Sequence, residues 1–120
     1  MTKMKALIVD DSSLARMMVR KIFADGFKDW ELLEAKDGQE ALEKTEGVAL
    51  DLALVDFNMP GMNGIDLAER LLRKQPGLSI HLVTANIQER MQQRAESIGI
   101  GFIKKPVNQD KITAAMRNER

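Results

Sequence analysis

The feature that most constrains this chain is an alternation. Five short apolar or β-branched segments, at residues 6–9, 30–35, 50–55, 79–84 and 101–104, are separated by stretches long enough to hold a helix. Strands joined by helix-length crossovers run parallel, since an antiparallel return needs only a tight turn. Right-handed crossovers then place helices on both faces of one sheet. The segments ALIV (6–9) and LALV (52–55) are apolar throughout, as strands covered on both faces should be. WELLEA (30–35) alternates and reads as a half-buried edge strand.

The intervening stretches carry helix signals. Ser12 is an N-cap for a helix to about residue 24, burying Ala15, Met18, Val19 and Ile22 on one face. The Met17–Met18 pair reads as core and boundary filling rather than a binding surface. Asp37–Gly38 turns into a short helix over 39–45. Asn63 caps a helix over 64–74 with Ile65, Ala68, Leu71 and Leu72 inward, closed by Gln75, Pro76 and Gly77. A helix over 87–98 shows alternating charges, the mark of a solvated face. A last helix covers about 109–118.

Composition narrows the function classes. At 120 residues the chain is the size of one domain, taken here as 1–120. Eighteen basic and eighteen acidic residues cancel, so no global field attracts nucleic acid or an anionic membrane. The absence of cysteine excludes disulfides and thiolate metal sites. No apolar run approaches a membrane span, and the basic start at residues 1–5 leads into too short a run for a signal peptide. A cytoplasmic α/β domain is expected.

In a parallel sheet all carboxyl ends point the same way, and ligands bind outside them. Asp10 and Asp11 follow the first strand, Asp56 ends the third, Thr84 ends the fourth and Lys105 follows the fifth. These side chains should gather on one rim; only the second strand, ending near Ala35, brings nothing. Two like charges about 4 Å apart repel by about 4 kcal/mol at an effective dielectric near 20. Clustered carboxylates therefore need a proton, a cation or a lysine. Oxygen ligands without His or Cys select a hard cation, and an open rim with few carboxylates suits Mg²⁺. Cation, ammonium, hydroxyl and loop amides around one carboxylate form a cradle for a phosphoryl group bonded to it.

Each residue has a plainer reading alone: Asp10–Asp11 as a helix cap, Thr84 as an ordinary strand residue, Lys105 as a surface lysine. His81, mid-strand and without nearby carboxylates, is expected to be a partly exposed strand residue rather than a ligand or phosphoryl carrier. The plain readings fail only jointly, because they do not explain the repetition at strand ends.

VDD (9–11), VDFNMPGMNG (55–64), TA (84–85) and KP (105–106) resemble the response-regulator receiver family of two-component signalling, over essentially the whole chain. With no output domain appended, the chain looks like a single-domain, CheY-like receiver. The resemblance implies a flavodoxin-like (βα)5 fold, a doubly wound parallel sheet in the order 2-1-3-4-5; that order comes from the family, not from the spacing. It implies that Asp56 accepts a phosphoryl group from a sensor histidine kinase or a histidine phosphotransfer domain. Mg²⁺ would be held by Asp10, Asp11, Asp56 and the backbone carbonyl of Asn58. Lys105 would pair with phosphoryl oxygens and Thr84 would move onto them, with Ala85 small beside it. Phe102 would be the aromatic switch, and Lys105–Pro106 a cis peptide. The face formed by the fourth helix, fifth strand and fifth helix would bind a downstream protein.

Two departures stand out. Phe102 replaces the Tyr of many chemotaxis receivers and so has no hydroxyl, forgoing a hydrogen bond of about 0.5–1.5 kcal/mol; Asn63 stands where many members have Asp, and both cap helices. The rival readings are a docking domain that is never phosphorylated, and a Mg²⁺-dependent hydrolase. The hydrolase lacks a second acid two residues beyond the nucleophile, since position 58 is Asn. Beyond its own phosphorylation and dephosphorylation, no catalysis is expected.

Overall fold

A computed structural model describes residues 3–117. The elements follow in strict alternation: β1 (Met4–Val9), α1 (Ser13–Gly26), β2 (Trp30–Ala35), α2 (Gly38–Lys44), β3 (Leu52–Asp56), α3 (Gly64–Lys74), β4 (Ser79–Thr84), α4 (Glu89–Ile98), β5 (Gly101–Lys104) and α5 (Gln109–Met116). All strand pairs are parallel and the order is β2-β1-β3-β4-β5. This is the flavodoxin-like doubly wound sheet implied by the resemblance.

The alternation works because the interior strands β1, β3 and β4 bury both faces. Leu7, Val9, Ala53, Val55, Ile80 and Leu82 pack with Ile65, Ala68, Leu71, Met91 and Ala95, beneath α3 and α4. The opposite face carries Ala6, Ile8, Leu52, Leu54, Val83 and Ile103 beneath Val19 and Phe23 of α1 and Ile112 and Ala115 of α5. β2 is an edge strand and only partly buried, as its alternating sequence requires. Four helices start on a side-chain cap: Ser12 accepts from Ala15 N–H, Asp37 from Glu40, Asn63 from Asp66 and Asn108 from Lys111. Gln88, before α4, makes no such bond.

Several expectations need correction. The inward stripe of α1 runs Ala15–Val19–Phe23, spaced i, i+4, i+8, with Val19 and Phe23 buried and Ala15, like flanking Ile22, only partly so. Met18 lies outside it and is 50% exposed, and Met17 is 51% exposed, so neither fills the core. Phe23 takes the place assigned to Met18, in ring contact with Phe27 and Trp30. His81 is not partly exposed but 1% exposed, because β4 is an interior strand roofed on that face by Ala114 and Ala115 of α5. Leu67 is buried on α3 and Leu72 only partly so. β1 begins at Met4, two residues earlier than expected, and β3 spans Leu52–Asp56 rather than 50–55. α1 runs on to Gly26, α2 already starts at Gly38, and α4 starts at Glu89 instead of residue 87. The expected end of the last helix, residue 118, lies outside the described residues; α5 ends at Met116.

One glycine fixes the depth of the future site. α3 starts so close to the end of β3 that a Cβ on Gly64 would lie 2.6 Å from the Asp56 carbonyl oxygen and 2.9 Å from the Phe57 Cα. Both are backbone atoms, so relief requires moving the loop. Gly64→Ala is expected to cost about 1–3 kcal/mol in urea unfolding, as overpacking does; an unchanged midpoint would contradict this close approach.

Candidate functional site: a carboxylate cluster at the carboxyl edge

The sheet's hydrogen bonding continues past its strand ends and through the site. Asp10 N–H donates to Ala35 carbonyl (3.1 Å), Phe57 N–H to Val83 carbonyl (3.1 Å) and Lys105 N–H to Thr84 carbonyl (2.9 Å). Each functional residue is thus placed by the ladder of its neighbour strand. Asp10 and Asp56 are buried, 3% and 4% exposed, while Asp11 is open to solvent. One carboxylate oxygen of each lies within 4.8 Å of the others.

Lys105 answers part of that charge. Its Nζ lies 3.6 Å from Asp10 Oδ2 and 3.6 Å from Asp56 Oδ1. Asp10 Oδ1 accepts the Ser12 N–H at 2.9 Å, and Asp56 Oδ1 accepts a long bond from Asn58 N–H at 3.4 Å. Burial, and after it the Asp10 carboxylate, raises the Asp56 carboxyl above its ordinary range; Lys105 and the Asn58 N–H pull it back, and Asp11 adds a smaller upward push. Three ionised carboxylates against one ammonium leave two negative charges, which a divalent cation would match. The donor set is all oxygen, and exposed Asp11 leaves the site open for the waters such an ion keeps. The residues present therefore fit a hard divalent cation.

Thr84 ends β4 and is buried on the same rim. Its hydroxyl is engaged with Asn86, donating to the carbonyl at 3.2 Å and accepting the N–H at 3.3 Å. Phe102 stands apart from the carboxylates, half-buried against the core beneath α3 and α4. The Lys105–Pro106 peptide is cis. Lys111 Nζ donates to the carbonyls of Lys104 (2.7 Å) and Pro106 (2.9 Å), bracing the loop that carries Lys105.

Two features escaped the sequence reading. β2 does reach the site, since Ala35 anchors Asp10, and Glu34 faces Arg16, whose Nη1 donates to the Asp10 carbonyl. An apolar groove also opens beside the cluster, lined by Ala15, Met18, Val19, Pro106 and Val107 with Asp10 and Lys105 at its end. Exposed Leu14 and Met17 continue α1's apolar surface.

A parallel α/β sheet with three carboxylates and a lysine at its carboxyl edge is a layout consistent with phosphorylation-dependent signalling. Residues 6–117 match the model of the response regulator receiver domain, and the chain belongs to that family. Its relatives include the chemotaxis protein CheY of Listeria monocytogenes, 33% identical over 94% of this chain and 95% of that protein. A cyclic di-GMP phosphodiesterase of Thermotoga maritima is 37% identical over 96% of this chain, which spans 32% of that protein's length. Among solved structures, chemotaxis protein CheY4 of Vibrio cholerae superposes with a TM-score of 0.87 at 27% identity, covering 98% of this chain and 99% of that one. No helix among the described residues is long and apolar enough to cross a membrane.

The raised Asp56 carboxyl makes a pH prediction. A carboxyl whose value is raised by the fold contributes stability that is complete below its unfolded-state value and is lost as pH rises through its folded value. Without divalent cations, Asp56→Asn should therefore be more stable than the parent at pH 7, by thermal unfolding. That advantage should vanish below the ordinary carboxylate value of about 3.9; an advantage equal at all pH values would contradict the assigned cause.

Proposed function

We propose that the chain is a phosphorylation switch in which Asp56 is the phosphoacceptor. The observation that carries this reading is the placement of a buried carboxylate, in contact with Lys105, among two further carboxylates at the open edge of a parallel sheet. An Asp56 carboxylate oxygen attacks the phosphorus of a phosphohistidine. The new P–O bond forms as the P–N bond breaks, and the imidazole leaves with the electron pair. A Mg²⁺ ion held by Asp10, Asp11, Asp56 and the Asn58 carbonyl would supply neutralising charge to the phosphoryl oxygens.

The chain's own groups do the rest. Lys105, already between Asp10 and Asp56, turns its ammonium onto a phosphoryl oxygen. The Thr84 hydroxyl exchanges Asn86 for the phosphoryl group, which frees the loop over 85–88. That loop enters α4, the helix whose first turn has no side-chain cap among those described. Phe102, half-buried beneath α4, repacks with it. The face made by α4, β5 and α5 would then bind a downstream protein with a different affinity. A swing from 1:99 to 99:1 requires about 5.5 kcal/mol of differential binding between the two states. Water attack on phosphorus releases phosphate, returns the carboxylate and resets the switch.

The donor in this reading is a sensor histidine kinase or a histidine phosphotransfer domain. The apolar surface of Leu14, Met17 and Met18 beside the mouth gives a donor helix a place to rest. The receiver unit is taken to comprise the whole chain, 1–120, and to act on no outside substrate.

Acetyl phosphate supplies the test. The parent chain should be labelled one-to-one with Mg²⁺ and not with EDTA, and Asp56→Asn should fall to background. Equal labelling of parent and variant would remove Asp56 from the role.

A further inference from the structure

We infer that Arg16 is a positioning residue for the Asp10–Asp11 turn, anchored through Glu34 to the end of β2. The inference rests on the metal-assisted reading above and extends it to residues remote from the reacting atoms.

Arg16 lies in the first turn of α1, and its side chain is only 20% exposed. Its guanidinium Nη1 donates to the Asp10 carbonyl, and its Nε lies 3.8 Å from Glu34 Oε1. Glu34 accepts two further bonds from Arg20, at 2.7 Å from Nε and 2.9 Å from Nη2. These arginine contacts, the Arg20 hydrogen bond foremost, hold the Glu34 carboxyl below its ordinary range and keep it an anion. Lys44 Nζ donates to the Glu34 carbonyl at 2.8 Å, tying α2 to the same strand end.

The Asp10 carbonyl belongs to the peptide that joins Asp10 to Asp11. Its direction sets how the two carboxylates present themselves to one another. Asp10 is held by its N–H to Ala35, and its Oδ1 accepts the Ser12 N–H in an Asx turn whose ring spans the Asp10–Asp11 peptide. The Arg16 bond grips the carbonyl of that same peptide from α1 and ties it to β2 through Glu34, a second restraint on the turn that carries exposed Asp11. An ion pair between exposed side chains is worth little. The Arg16 bond differs, since its part-buried guanidinium is directed at a backbone carbonyl within the site. Groups of this kind, which orient ligands from behind, typically change metal affinity by 10–100-fold on removal.

The experiment is a Mg²⁺ titration of the full chain, followed by amide NMR shifts or calorimetry, together with thermal unfolding. Arg16→Met should weaken Mg²⁺ binding about tenfold. Acetyl phosphate labelling of the same variant should recover to within about twofold of the parent at saturating Mg²⁺, because the nucleophile itself is untouched. Glu34→Gln, which slackens the anchor and leaves the Asp10 bond in place, should weaken binding by a smaller factor, about threefold, and decides the matter if Arg16→Met does not fold. Unchanged Mg²⁺ affinity in a folded variant, with or without a loss of thermal stability, overturns the inference. So does labelling that stays depressed at saturating Mg²⁺. A parent chain that binds no Mg²⁺ would instead overturn the metal-assisted reading on which the inference stands.

Discussion

A sheet whose strands all run one way collects its strand ends on one edge. In this protein that edge receives Asp10, Asp11 and Asp56 together, so the fold concentrates like charge where the helices do not cover it. Lys105 relieves the repulsion without cancelling it. The rest of the structure can be understood as the means of bearing this charge. Apolar strands fill both faces, side-chain caps begin four of the helices, and Gly64 lets α3 approach the Asp56 peptide. A site that holds excess negative charge is poised to accept a divalent cation.

Precision at the edge comes from the backbone. The bonds from Asp10 to Ala35, Phe57 to Val83 and Lys105 to Thr84 extend the sheet ladder beyond its strands. Thr84 differs from the other groups, because its hydroxyl is committed to the loop before α4 rather than to the carboxylates. Under the proposed function, Thr84 is the group that exchanges partners, while the groups on β1, β3 and β5 keep their backbone bonds. Such an exchange is how a local charge event reaches a distant face.

Much of this was legible in the sequence. Apolar runs at helix-length spacing specify a parallel sheet, and the same spacing places Asp10, Asp56, Thr84 and Lys105 at strand ends. The strand order was not legible from spacing; it came with the family resemblance. Met18 was misplaced because residues 15, 18, 19 and 22 and residues 15, 19 and 23 describe neighbouring stripes of one helix, and only the neighbour packed against α1 chooses between them. His81 was misplaced because its burial depends on Ala114 and Ala115, distant in sequence and small. Arg16 and Glu34 gave no signal at all, since a surface helix and an edge strand carry many charges. Their meaning arises only when β2 pairs with β1 and brings Glu34 beside the start of α1.

The central claim is that the fold gathers carboxylates that need a divalent cation. Unfolding free energy measured against Mg²⁺ concentration at pH 7 tests it most directly. A ligand bound only by the native state adds stability as RT ln(1 + [L]/Kd). The account predicts a stability that climbs with the logarithm of Mg²⁺ once the site begins to fill, by about 1.4 kcal/mol per tenfold at high occupancy, with the climb abolished in Asp10→Asn. A stability independent of Mg²⁺, or a rise of equal size in that variant, would contradict it.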